Sequence, residues 1–179
     1  MMARTKLRRT LADPALAAGL AVLLGIAGCR SEPPAEPVIY RDLGRAGVDL
    51  DPAAALGLVN DYRAKEGVGR LALDPALVAI AAEEAARLAA RDSIRLSLAA
   101  EHRLEARLAA AGYESAGAVQ NVSAGYRTLA EAFSGWRELT THNANMLSPT
   151  ANRFGIATAY APNSKYKVYW VAVFADPTG

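Results

Sequence analysis

Few side chains in this chain could do chemistry. Its 179 residues include two histidines, His102 and His142, and one cysteine, Cys29. His142 sits in the polar run Thr140-Thr141-His142-Asn143, beyond Trp136, while Gln120 and Asn121 stand upstream of a helix start. A neutral imidazole is a proton acceptor or a metal ligand, and polar groups at both ends of one amphipathic helix can converge on a shared cleft. The stretch Val119–Leu147 is therefore where a site is expected. His102, among Glu101, Arg103 and Glu105, reads as a solvated surface residue. Ser123, Ser134 and Ser148 are nucleophiles in principle only, because no Gly-x-Ser-x-Gly elbow is present and no histidine–acid pair is marked.

Capping and periodicity define the elements that must position these groups. Asp51-Pro52 and Asp74-Pro75 each read as an N-cap followed by proline at the first helical position. After the first, Leu56, Val59 and Tyr62-Arg63 recur at helical spacing up to a stop at Gly67. After the second, Leu77, Ile80-Ala81, Glu84-Ala85 and Leu88 form a stripe that reaches about Arg91. Arg70–Leu73 is a short extended connector, and Asp92–Ala100 is a loop or a frayed helix. A helix from about Glu101 to Ala111 follows, with Leu104 and Leu108 as its apolar pair and Gly112 just past its end. Val119–Tyr126 has strand character. Thr128-Leu129-Ala130-Glu131 fits a capping box, which accounts for Glu131 without catalysis, and Phe133 and Trp136 should face the core. Gly155–Tyr160 and Val168–Phe174 read as strands about the turn Ala161-Pro162-Asn163-Ser164. The second strand is apolar on both faces and so should be covered on both sides. The predicted architecture is α+β: a small antiparallel sheet between helical layers, a three-layer αβα sandwich.

A hydrophobic fraction of 52% is ample for a core. The formal charge of +2 does not mark a nucleic-acid binder. Residues 1–28 carry Arg4, Lys6, Arg8 and Arg9 against Asp13, which leaves 16 basic and 17 acidic residues beyond them. The same segment places a basic region before an apolar run, Leu16–Ile26, the pattern of an export signal. That run is shorter than the roughly 20 residues a bilayer-spanning helix requires. Ile26-Ala27-Gly28-Cys29 resembles the lipobox of bacterial lipoproteins, whose cysteine is diacylated and becomes the new N-terminus. The resemblance implies a membrane anchor through acylated Cys29 and a domain without disulfides. Arg30 in place of aspartate after the cysteine implies an outer-membrane or outer-surface location. The implied organisation is a signal peptide over 1–28, a Pro-rich linker over 29–50 and a folded domain over 51–179. Whether Val38-Ile39-Tyr40 docks on that domain is left open.

Four segments resemble the CAP superfamily (cysteine-rich secretory proteins, antigen 5 and pathogenesis-related proteins) in its compact bacterial form. They are Leu58–Arg63, Leu73–Leu77 with its alanine-rich helix, Ala110–Tyr113, and Val119–Leu147. In the last, Gln120-Asn121-Val122-Ser123-Ala124 resembles the family's Gly-Glu-Asn-Ile/Leu-Ala segment. Trp136 followed by His142 and Asn145-Met146-Leu147 resembles its Trp…Gly-His-Arg-x-Asn-Ile-Leu block, and Val168–Phe174 resembles its last strand. The resemblance implies an αβα sandwich with a surface cavity in which two histidines and two acidic residues bind a divalent metal.

Position by position, His142 matches the second of those histidines and the first falls on Leu96. Gln120 replaces one acidic residue, and the other position falls on Leu139, with Glu138 one residue earlier. An imidazole, a neutral amide and two leucines do not supply the three or more converging donors that a protein-held divalent ion takes. No cofactor is expected. Gln120 cannot accept a proton at neutral pH, so no general base pair is expected either. The candidate cavity residues are His142, Gln120, Asn121, Glu138, Leu96 and Leu139, with His142 expected to hydrogen-bond within its loop, for instance to Gln120. The expected function is a lipid-anchored, extracytoplasmic binding or envelope-associated module without catalysis, its ligand lipidic or from the envelope. The alternatives are a hydrolase acting on envelope polymer or peptide, and a divalent-metal-dependent binder or sensor.

Overall fold

The strand β4 (Val168–Pro177) is central to everything else in the fold. From Val168 to Ala175 each of its residues is fully buried, as two-sided apolar patterning requires. A computed structural model describes residues 36–178 of the chain. The expected export signal and Cys29 lie outside the described residues.

The sheet order is β1-β3-β4-β2, with β1 at Ala72–Leu73, β2 at Ser115–Ala124 and β3 at Arg153–Tyr160. Strands β3 and β2 pair antiparallel with β4, in registers Arg153↔Ala175 to Tyr160↔Val168 and Val119↔Phe174 to Ala124↔Tyr169. The connector expected at Arg70–Leu73 contributes the short β1, which pairs parallel with β3 through Ala72↔Arg153 and Leu73↔Phe154.

Helices cover both faces. On one side α1 (Pro52–Lys65), α4 (Leu129–Glu138) and α5 (Thr140–Met146) pack on Val168, Trp170, Ala172 and Phe174. On the other, α2 (Pro75–Ala90) and α3 (Leu104–Ala110) pack on Tyr169, Val171, Val173 and Ala175. The first core is aromatic. Trp136 and Trp170 meet edge to face at 6.1 Å, a geometry worth about 1 kcal/mol beyond the area it buries. The second is built on alanine, which lets the α2 backbone approach the sheet closely. A Cβ on Gly155 would stand 2.3 Å from the Leu77 carbonyl carbon, so only glycine fits there.

Local signals place the helix ends. Asp51 accepts from the amides of Ala53 and Ala54, and Asp74 from those of Ala76 and Leu77. The capping box at Thr128 is complete, with the threonine hydroxyl accepting from the Glu131 amide and the Glu131 carboxylate accepting in return. Gly67 and Gly112 both take left-handed backbone, φ 73° and 65°.

Two local expectations differ from the structure, and a third, the loop or frayed helix over Asp92–Ala100, is made specific by it. The helix expected over Glu101–Ala111 is broken: Ala100–His102 is a 3-10 turn, and α3 begins only at Leu104 because Arg103 is extended. Residues Ile94–Leu98 form a 3-10 helix. The run Thr140–Asn143, expected as a loop, is the start of α5. Its residues are poor helix formers, and packing holds them: Met146 is fully buried at the helix end.

Residues 36–50 lie against the first core. Leu43 is buried, with Ile39, Val48 and Leu50 packed around it. The Arg127 guanidinium donates twice to the Asp42 carboxylate, at 2.9 and 2.7 Å, and the Leu43 amide donates to the Arg127 carbonyl at 2.7 Å. The bonds from Arg127 hold the Asp42 carboxyl at about 2, well below its ordinary 3.8.

Candidate functional site

Strand β2, helix α5 and the 3-10 turn Ile94–Leu98 meet at a cleft of about 290 Å³. Gln120 and Val122 line its sheet side, Thr141 and His142 its α5 side, and Ile94, Arg95, Ser97 and Leu98 its outer wall. A second cleft of about 340 Å³ shares Ser97, Leu98 and Gln120 with it and continues toward Arg103, Leu104 and Glu105. Leu98 is 77% exposed and Ile94 37% exposed, so the lip is apolar and open to solvent.

Side-chain amides hold β2 to α5. The Asn121 Nδ2 donates to the His142 carbonyl at 3.1 Å, and the Asn145 Nδ2 donates to the Gln120 carbonyl and the Asn121 Oδ1 at 2.8 and 2.9 Å. Tyr62 of α1 donates to Asn143 at 2.9 Å on the far side of α5. Asn121 is thus a fully buried brace for the α5 backbone, not a cavity group.

His142 and Gln120 share the cleft, but their side chains are not paired with each other. The Gln120 Oε1 accepts from Nη2 of Arg107, which lies beneath it on α3. The His142 Nδ1 is buried without a partner, and burial pushes the imidazole below its ordinary 6.5, toward the neutral form. Leu96 belongs to the 3-10 turn Ile94–Leu98 whose other residues line the cleft. Leu139, expected in the cavity, instead stands half exposed as the α4–α5 junction residue, and Glu138 beside it is exposed at the α4 end. Leu139 takes extended backbone there (φ −88°, ψ 114°), which places it before the first turn of α5. His102 enters the site through its backbone, its carbonyl accepting from Nε of Arg107 at 3.1 Å.

Arg107 is the residue that sequence reasoning missed. It is 8% exposed, its Nη1 has no partner, and its Nε lies 3.7 Å from the fully buried Glu84. Burial lowers the guanidinium, and the charge of Glu84 pushes back. Arg87 also pairs with Glu84, whose Oε1 is left without a partner. A signal was available: Arg107 lies between Leu104 and Leu108 on the apolar face of α3, as Glu84 lies within the apolar stripe of α2.

These groups do not fit a divalent cation. Among the described residues no cluster of three or more His, Cys, Asp or Glu side chains is gathered. The one amide oxygen in the cleft is already bonded to a guanidinium, whose charge repels a second cation. Of the hydroxyls that line the cleft, Ser97 donates to the Ile94 carbonyl at 2.8 Å. Ser123 accepts from the Trp136 Nε1 at 3.0 Å, and Ser148 gives its carbonyl to Arg63.

The profile of the cysteine-rich secretory protein family, CAP, matches residues 56–174, and the chain belongs to that family. No curated protein sequence matches it significantly. Among solved structures it is similar to an outer surface protein from Borrelia burgdorferi, at 14% identity and a TM-score of 0.62, over 73% of this chain and 98% of that one. It is also similar to an extracellular protein containing an SCP domain from Bacillus anthracis (18% identity, TM-score 0.60), over 69% of this chain and 39% of that one. A cysteine-rich secretory protein from Staphylococcus aureus matches at 15% identity and a TM-score of 0.57, over 69% of this chain and 37% of that one. The chain therefore spans about two fifths of the length of the two latter proteins.

Proposed function

We propose that this CAP domain is an extracytoplasmic binding module, anchored through acylated Cys29, that takes an amphipathic small ligand in the Gln120–His142 cleft without bond-making chemistry. One observation carries the reading. The polar groups at the family's cavity positions reduce to a neutral imidazole and an amide whose oxygen is engaged by Arg107, while the lip is the exposed apolar pair Ile94 and Leu98. Such a cleft offers hydrogen bonds and apolar contact, but no set of metal ligands, no poised base and no activated nucleophile. The export signal and the lipobox-like Ile26-Ala27-Gly28-Cys29 support the location, and similarity to outer-surface and extracellular proteins agrees with it.

The test is titration of the purified protein with cell-envelope lipids, beside the same titration of Leu98→Glu. Binding in the first and at least tenfold weaker binding in the second is the expected result. Turnover of an envelope polymer or peptide, lost in His142→Ala, would overturn the reading. Metabolic labelling with palmitate tests the anchor: label should enter the protein and be absent from Cys29→Ser.

A further inference from the structure

Strand β2 is the last in the order β1-β3-β4-β2, and among the described residues no strand pairs with its outer side. The Gln120 carbonyl faces that side, since it accepts from the Asn145 side chain. Outward-facing residues alternate along an antiparallel ladder, so the amide and carbonyl of Ala118 face the same way. The open stretch is short. At one end a bulge between Ser115 and Gly117 leaves Ala116 without a partner in β4, and at the other Asn145 closes the edge at Gln120. Neither proline nor a charged residue guards the run Ser115-Ala116-Gly117-Ala118-Val119. Beside it α3 forms the wall of a groove of about 630 Å³, lined by Glu105, Leu108 and Ala109, by Glu114 and by the edge itself. Ala118 packs with the core on the α3 side of the sheet. A residue directly opposite it on an added strand would put its side chain on that side too. There Leu108 and Ala109 offer apolar surface, and Glu105 and Glu114, both exposed, give the lining two carboxylates and no cation. A second copy of this chain, pairing edge to edge about a two-fold axis, would bring the same acidic patch against its like. The charge therefore favours a cationic strand over self-pairing.

We propose that the free edge of β2 and the wall of α3 form a docking groove for an extended peptide bearing lysine or arginine. The peptide residue opposite Ala118 exchanges both backbone hydrogen bonds with it, lays its aliphatic stem on Leu108 and Ala109 and sets its charge at Glu105. Main-chain pairing supplies the affinity, and the carboxylates select the side chain. The groove is separate from the Gln120–His142 cleft and does not rest on the reading given to that cleft.

The experiment titrates the isotope-labelled full chain with the peptide acetyl-Ala-Val-Lys-Val-Ala-amide and follows the backbone amide signals. Two comparison peptides differ from it only at the lysine: one carries glutamate there, the other a methyl group on the lysine backbone nitrogen. The lysine peptide should shift the Ala118 amide and bind about tenfold or more tightly than either comparison peptide. Glu105→Lys, a change at an exposed position of α3, should leave the melting temperature in place and turn the preference toward the glutamate peptide. Equal binding of the lysine and glutamate peptides, or of the methylated and unmethylated ones, would overturn the proposal. So would binding of none of them, or a chain that is dimeric without peptide and has its Ala118 amide protected from hydrogen exchange. A lysine preference that persists in well-folded Glu105→Lys would sink the role given to Glu105.

Discussion

Two arginines are buried in this small domain, and they are buried differently. Arg63 of α1 is fully enclosed, and its guanidinium donates to four carbonyls: Gly69 at 2.6 Å, Met146 at 2.8 Å, Ser148 at 3.0 Å and Ala151 at 3.1 Å. Arg107 of α3 has the His102 carbonyl, the Gln120 oxygen, a loose approach to Glu84 and an Nη1 with no partner. One arginine is a structural rivet that ties the α1 end to the segment between α5 and β3. The other holds hydrogen-bonding capacity in reserve beside a cleft. Buried polar groups with full partners specify structure, whereas a buried group left short of partners points to a site.

The contrast is testable from both ends. Arg63→Met leaves four carbonyls without their donor and should cost on the order of 3 kcal/mol in urea unfolding. Arg107→Met should cost less, on the order of 1–2 kcal/mol, because fewer good bonds are lost; an equal or larger loss than at Arg63 would erase the distinction. In the opposite direction, Gln120→Glu replaces a neutral acceptor with a charged one and should stabilise by about 1 kcal/mol, an effect that shrinks with added salt if the cleft floor is wet.

His142 supplies a pH signature that neither arginine has. Its folded-state value lies below the ordinary 6.5, so the unfolded chain binds the proton more readily. Its contribution is present above 6.5 and is lost as pH falls below it, and His142→Gln should flatten stability measured between pH 7 and 5. The Asp42–Arg127 pair should give the smallest change, since both side chains are solvent-facing. Asp42 is held at about 2 against 3.8, so its effect appears above 3.8 and vanishes toward 2. Arg127→Ala should speed hydrogen exchange at the Leu43 amide with little change in the global midpoint.

The sequence was most readable where the signal is local. Asp51, Asp74 and the Thr128–Glu131 box each act within a few residues, and each lies where its chemistry predicts. The two-sided burial of β4 was likewise visible in its unbroken apolar run. The site was harder to read, because side-chain direction and tertiary packing decide it. Spacing from Trp136 brings His142 to the cleft, but Leu139 falls outside because the chain turns between α4 and α5. The α5 helix has weak intrinsic propensity and forms because Asn121, Asn145 and Tyr62 hold it from both sides. Gln120 reads in the sequence as a neutralised carboxylate, whereas in the fold its oxygen accepts from a guanidinium that no local pattern places beneath it.

The central place of β4 bears on the order in which the molecule assembles. Its alternate side chains belong to the two separate cores, and it is the strand that joins β2 to β3. Every helix and every other strand precedes it in the chain. Until those last residues emerge, neither core can close, and the preceding segments lack the surface on which they fold. The preceding segments are thereby kept open by the topology itself, and the whole domain should then form in one cooperative step.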